Sequence, residues 1–127
     1  MQSTKAKGDK WEVIAIKYLQ SHWYTILDSN YKFWRFWEID LIASSKWVVV
    51  FIEVKYRNNT SYGIPEESIT TNKLRKCRKT VEFYVLKNKL DFEKIRFDVI
   101  TIMKWQTSYK IKHYKNNMRI PVLTVIK

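Results

Sequence analysis

Cysteine is nearly absent from this chain. Cys77 stands alone among 127 residues, which excludes an internal disulfide and any cysteine-built zinc module. Glycine and proline are also scarce, two of each, so long elements with few tight turns are expected. No apolar run approaches the roughly 20 residues of a membrane span. Met1 to Lys10 is polar and has no apolar signal core. These absences predict a soluble, cytoplasmic protein without a membrane partner. Acids are outnumbered: twelve Asp and Glu face twenty-four Lys and Arg, a formal charge of +12 with a pI near 9.8. Clustered cations neutralise phosphates well, so a polyanion partner is the natural reading. A generally lysine-rich composition would give the same count, and position must decide between the two.

What is present points to one packed domain. Hydrophobic residues make up 46% and aromatics 16% of the chain, enough apolar material to exclude disorder. Residues 1–127 fit one domain, long enough to bury a core without staples.

The pattern over Gly8 to His22 is helical. Trp11, Ile14, Ala15, Tyr18 and Leu19 form one apolar stripe at i, i+3, i+4, i+7 and i+8, with Glu12 at its edge. Asp28, Ser29 and Asn30 carry a turn signal. Residues 31–43 are dense in aromatic and branched side chains and predict a strand. Ser44, Ser45 and Lys46 then mark a hairpin turn, and residues 47–56 predict a central strand, apolar on both faces until Glu53. Residues 57–64 predict a loop. Pro65, Glu66 and Glu67 suit a helix start, and that helix runs to about Lys89 with a kink near Thr70 to Asn72. Residues 95–103 predict a strand parallel to 47–56 by helical crossover. Residues 109–115 and 119–126 look extended. The order α-β-β-α-β predicts an α/β domain with a mixed central sheet flanked by helices.

The chemistry rests on where a few charges fall. Glu53 and Lys55 share one face of a strand, because side chains alternate with period two. Asp40 lies six residues before Lys46 and Glu53 seven after it. Nearly matched depths in an antiparallel hairpin make the two acids cross-strand neighbours. Adjacent carboxylates on apolar strands repel unless a cation lies between them. Hard oxygen donors point to magnesium or manganese rather than zinc. Such an ion polarises a phosphoryl oxygen and activates water, while Lys55 positions that water or stabilises phosphorane charge. Glu12 would complete the set, as a direct ligand or behind one. Glu38 shares a strand face with Asp40 and serves equally as the second acid. A Glu-Val-Lys triplet can also be merely the solvated end of a strand.

Other candidates carry bland alternatives. Lys73, Arg75, Lys76, Arg78 and Lys79 form a basic run on the second helix, read as a phosphate-contacting surface or as a solvated face. Phe33, Trp34, Phe36 and Trp37 suit core packing before base stacking, with leftover rings available to a dimer interface. His22 and His113 read as ordinary surface or core histidines, and Cys77 as core.

Several segments together resemble the YraN-like (UPF0102) family of predicted endonucleases. That family is placed in the PD-(D/E)XK restriction-endonuclease-like superfamily, with the archaeal Holliday junction resolvases. Residues 8–19 (GDKWEVIAIKYL) look like its opening G-x-x-G-E…A…Y-L. Residues 38–43 (EIDLIA) and 51–57 (FIEVKYR) look like its G-E-I-D-L-I-A and F-V-E-V-K-x-R segments. Tyr62 to Pro65, Lys73, Arg96 to Ile100 (RFDVI) and 111–118 (IKHYKNNM) follow in the family's order. The resemblance implies a restriction-endonuclease-like core. It places Asp40, Glu53 and Lys55 at catalytic positions and Glu12 at the helix-borne acid; Arg57, with the basic run, is expected to contact the nucleic acid. It also implies a magnesium-type ion and a DNA substrate, branched DNA included. Trp11 and Trp37 stand where the family pattern has glycine.

The expectation is therefore a magnesium- or manganese-dependent endonuclease, working as a homodimer because two strands need two sites. The rival is a nucleic-acid-binding accessory protein of the same fold with little or no catalysis. A basic protein of structured RNA is a third reading.

Overall fold

A computed structural model of the chain describes residues 6–57 and 71–115, with the side chains of residues 6–9, 57, 71–76 and 105 outside that set. Helix α1 spans Ala6–Ser21, followed by strands β1 (Thr25–Lys32), β2 (Glu38–Ser45) and β3 (Val48–Arg57). Helix α2 (Thr71–Lys87) leads through a 3-10 turn at Phe92–Lys94 to β4 (Ile95–Trp105) and β5 (Ser108–Tyr114). The five strands form one sheet in sequence order. All neighbours are antiparallel except β3 and β4, which are parallel because α2 carries the chain back across the sheet. The α/β expectation and the parallel crossover both hold.

Two cores lie on the two faces of this sheet. Ala15 and Leu19 of α1 pack with Leu41, Val50, Ile52, Ile100 and Ile102. Cys77, Val81 and Val85 of α2 pack with Ile42, Phe51, Phe97 and Val99. The central strands therefore bury both faces, which is why 48–54 reads as a nearly unbroken apolar run. The stripe expected on α1 is the one that packs, and Cys77 is buried as expected. Truncating a fully buried residue such as Leu19 should cost about 2–5 kcal/mol.

Scarce glycine shows directly in the turns. Trp23, Asn30, Trp34, Lys46, Trp47, Lys89 and Gln106 all take positive φ, a region that costs a non-glycine residue about 1–2 kcal/mol. Trp23 (φ 70) ends α1 in the left-handed position usually given to glycine. There Tyr24 N–H donates to the Leu19 carbonyl at 3.0 Å. Lys46 and Trp47, with φ of 51 and 70, make the tight β2–β3 hairpin turn, both left-handed as a two-residue hairpin requires.

Three expectations need correction. Asp28, Ser29 and Asn30 do not end a segment; they lie within β1. The turn chemistry survives as a bulge between Ile26 and Asp28 and as a positive φ at Asn30. Edge-strand pairing to β2 overrides the propensity, and most of β1 faces solvent. Residues 31–43 are not one strand, because Phe33 to Trp37 turn between β1 and β2, with Phe36 N–H donating to the Phe33 carbonyl at 3.0 Å. Ser44 and Ser45 belong to β2, and the hairpin turn is Lys46–Trp47. The expected loop from 58 onward, the helix start at Pro65, the kink up to residue 70 and the extended segment 119–126 lie outside the described residues. Among the described residues no helix is long and apolar enough to cross a membrane.

Candidate active site

The β2–β3 hairpin brings the two principal acids level. The ladder runs from Ser45–Val48 to Leu41–Ile52; Asp40 and Glu53 are the next residue on each strand, near enough for the Glu53 charge to act on Asp40. Ile42 and Phe51 belong to the α2-side core, and alternation along β3 turns Glu53 to that side. On β2, Ile39 and Ile42 both join that core while Leu41 joins the other, so alternation is broken around Asp40. One oxygen of Asp40, Oδ2, accepts a hydrogen bond from the Val54 N–H at 2.8 Å. Lys55 Nζ lies 3.3 Å from Glu53 Oε2. Glu53 is buried and Lys55 half-buried, so this ammonium sits at the border between core and solvent.

Glu12 comes from α1, where Asn30 Nδ2 donates to its Oε2 at 2.8 Å. Asn30 lies next to Asp40 across the β1–β2 ladder, between the pairs Ser29–Leu41 and Tyr31–Ile39. The turn-forming Asn30 thus holds the helix-borne acid beside the hairpin acids. Its left-handed backbone is local strain at the site.

Electrostatics disfavours the charged form of Asp40. Burial pushes Asp40 up to about 7, and the Glu53 charge adds to the rise. The Val54 N–H partly opposes this, while Glu12 and Glu38 raise Asp40 further. The structure thus brings Asp40, Glu53 and Lys55 together and sets Glu12 and Glu38 within electrostatic reach.

Among the described residues, no group of three His, Cys, Asp or Glu side chains is arranged to hold a metal ion. The donor set that remains is a carboxylate pair. This fits magnesium or manganese, which keep several waters and take one or two protein carboxylates plus substrate phosphate.

Trp11 and Trp37 frame the site. The Trp11 ring stacks on Tyr56 and meets the Tyr109 edge at 5.7 Å. Trp37 packs half-buried against the α2-side core, and its carbonyl accepts a hydrogen bond from Thr80 Oγ1 of α2. The aromatic turn divides its rings: Phe33 stacks on Phe83 at 4.0 Å, while Trp34 stands exposed.

Of the basic run, Arg78 faces Glu82 with Nε 3.5 Å from Oε2. Lys79 is exposed, 5.9 Å above the Phe36 ring. Lys73, Arg75 and Lys76 lie on α2 and Arg57 ends β3, with side chains outside the described residues.

Sequence reasoning missed a second polar cluster. Arg96 grips the fully buried Asp98 with two hydrogen bonds of 2.9 Å, and its Nη2 also donates to the Tyr24 hydroxyl at 2.8 Å. His113 Nε2 lies 2.7 Å from Asp98 Oδ2, and its Nδ1 lies 3.1 Å from the Tyr18 hydroxyl. His113 is therefore a network member rather than an ordinary isolated histidine. The signal available was the Arg-x-Asp of RFDVI: two charges two apart on one face of a strand imply a partner.

Comparison with known proteins gives the family. The model of the uncharacterised protein family UPF0102 matches residues 11–102. A UPF0102 protein of Persephonella marina is 42% identical over 110 residues, covering 87% of this chain and 90% of its own length. One from Aliivibrio fischeri is 40% identical over 103 residues, covering 80% and 83%. One from Clostridioides difficile is 38% identical over 114 residues, covering 90% and 97%. With the family model spanning most of the sequence and relatives matching nearly end to end, the chain belongs to the uncharacterised protein family UPF0102.

Proposed function

We propose that this protein is a metal-dependent nuclease that hydrolyses DNA phosphodiester bonds at the Asp40–Glu53–Lys55 cluster. The observation that carries the reading is the convergence of two carboxylates on adjacent strands with an ammonium 3.3 Å from one of them. The rise of Asp40 to about 7 supports it, because a buried carboxylate repelled by neighbouring acids is stabilised in its charged form by a divalent ion.

Asp40 and Glu53 would hold magnesium or manganese. When bound, such an ion polarises a phosphoryl oxygen and supplies an activated water. The Val54 N–H fixes the direction of the Asp40 carboxylate. Lys55 is exposed enough to leave Glu53 for a phosphoryl oxygen, where its charge stabilises the five-coordinate phosphorus. Glu12, oriented by Asn30, adds negative charge and an acceptor behind the pair. The net charge of +12 favours a DNA substrate through phosphate neutralisation, and the exposed Lys79 of α2 is available to a phosphate. Two strands, or the arms of a branched DNA, call for a homodimer.

Cleavage of labelled linear and branched DNA, with and without magnesium or manganese, tests the reading. Wild-type protein should cut only with metal, and Asp40→Ala and Lys55→Ala should each abolish cutting. Cleavage that survives both substitutions sinks the assignment. One observation favours a second reading, a non-catalytic DNA-binding protein: no third metal-holding side chain joins the pair among the described residues. That reading predicts binding that is salt-dependent, metal-independent and indifferent to Asp40→Ala.

A further inference from the structure

Far from the carboxylates, a cavity of about 420 Å³ opens on the α1 side of the sheet, lined among others by Trp23, Tyr24, Lys46, Arg96, His113 and Lys115. Val48, at its wall, begins the strand that later carries Glu53. Five strand steps, roughly 17 Å, separate Val48 from Glu53, which lies midway along β3.

The cavity is built rather than incidental. Its floor is the Arg96–Asp98–His113 network, tied at 2.7–2.9 Å to a fully buried carboxylate. Two tyrosine hydroxyls complete that network, so the Arg96 guanidinium and the His113 ring are held in fixed positions. No carboxylate lines the cavity among the described residues, and Lys46 and Lys115 stand at its rim, both exposed. The local charge is therefore positive even after Arg96 and Asp98 cancel.

Beside these cations stands a bare aromatic ring. Trp23 is 90% exposed, although tryptophan is among the side chains most favoured by burial. The helix-terminal turn fixes its backbone at φ 70, with its N–H donating to the Gln20 carbonyl at 3.2 Å. Trp47, 89% exposed, follows Lys46 on the neighbouring hairpin turn. Exposed rings beside a cationic pocket are the recognition chemistry of an unpaired nucleotide: the base stacks and the phosphate meets ammonium groups.

We infer that this cavity binds an unpaired nucleotide of a nucleic-acid strand, with the base stacked on Trp23 and the phosphate held by Lys46 and Lys115. A base pair within a duplex has both faces covered by its neighbours, so the site distinguishes single strands from the interior of a duplex. The inference does not depend on hydrolysis at the carboxylate pair.

Fluorescence anisotropy of a short labelled oligothymidylate, titrated in chelator so that no cutting occurs, tests it. Trp23→Ala should weaken binding about tenfold, while Trp23→Phe, which keeps a ring, should lose less than about threefold. Lys46→Gln combined with Lys115→Gln should make the salt dependence shallower by about one to two. Binding of a covalently closed circular duplex, which has no ends, should be unchanged by Trp23→Ala. These positions are exposed, so far-UV circular dichroism should match wild type for every variant. Wild-type affinity for oligothymidylate in Trp23→Ala, or an equal loss on duplex, overturns the inference.

Discussion

Trp11 and Tyr56 stack nearly parallel, their ring centroids 3.7 Å apart and their planes inclined by 12°. Each is the sequence neighbour of a site residue, Glu12 on α1 and Lys55 on β3. The stack therefore ties the helix that carries one acid to the end of the strand that carries Glu53 and Lys55. A glycine at position 11 would leave that link unmade.

Trp11→Gly should accordingly lower stability by about 2–4 kcal/mol, combining the lost stack, the lost apolar burial and a glycine within a helix. Trp11→Phe keeps a ring over Tyr56 and should lose less than half as much. Urea unfolding of the three proteins checks this. Equal stability of wild type and Trp11→Gly would show that the stack does not hold α1 to β3.

The raised pKa of Asp40 makes a stability prediction for metal-free protein. Its folded value of about 7 lies above the ordinary 3.8, so the folded chain holds a proton that the unfolded chain releases. The contribution is fully present below about pH 4 and is lost as pH rises through about 7. Asp40→Asn keeps an acceptor for the Val54 N–H and removes the titration. It should leave stability at low pH nearly unchanged and raise it at pH 8 by on the order of 3 kcal/mol. Thermal unfolding in chelator at several pH values measures this. Parallel pH profiles for the two proteins would contradict the account.

Much of this architecture is legible in the residues, and the failures have physical causes. The stripe from Trp11 to Leu19 and the run 48–54 specify α1 and β3 because burial on one helix face or on both strand faces leaves a periodic mark. The register of Asp40 with Glu53 follows from counting outward from a short hairpin. β1 was hidden because an edge strand with one paired side tolerates Asp28, Ser29 and Asn30, whose local preferences suggest a turn. Its neighbour Asn30 turned out to hold Glu12, a contact that depends on a left-handed backbone no spacing reveals. Likewise His113 stands fifteen residues beyond Asp98, and only the β4–β5 pairing of Ile100 with His113 brings it to the Arg–Asp pair.

That buried network carries its own stability consequence. Asp98 is fully buried and accepts from both Arg96 and His113. Asp98→Ala would strip both of their acceptor and should cost about 3–5 kcal/mol. Asp28→Ala on the exposed face of β1 should change stability by less than about 1 kcal/mol. Chemical denaturation of both variants makes the comparison, and similar small losses would mean the network contributes little.

The central claim is that the Asp40 and Glu53 carboxylates hold a divalent ion where Lys55 can reach a phosphate. Crystals soaked in manganese and measured for anomalous scattering test it most directly. The account predicts a peak within about 2–2.5 Å of an oxygen from each carboxylate, absent in crystals of Asp40→Asn. A manganese-soaked crystal with no peak between those two side chains, and Lys55 still closed on Glu53, would contradict it.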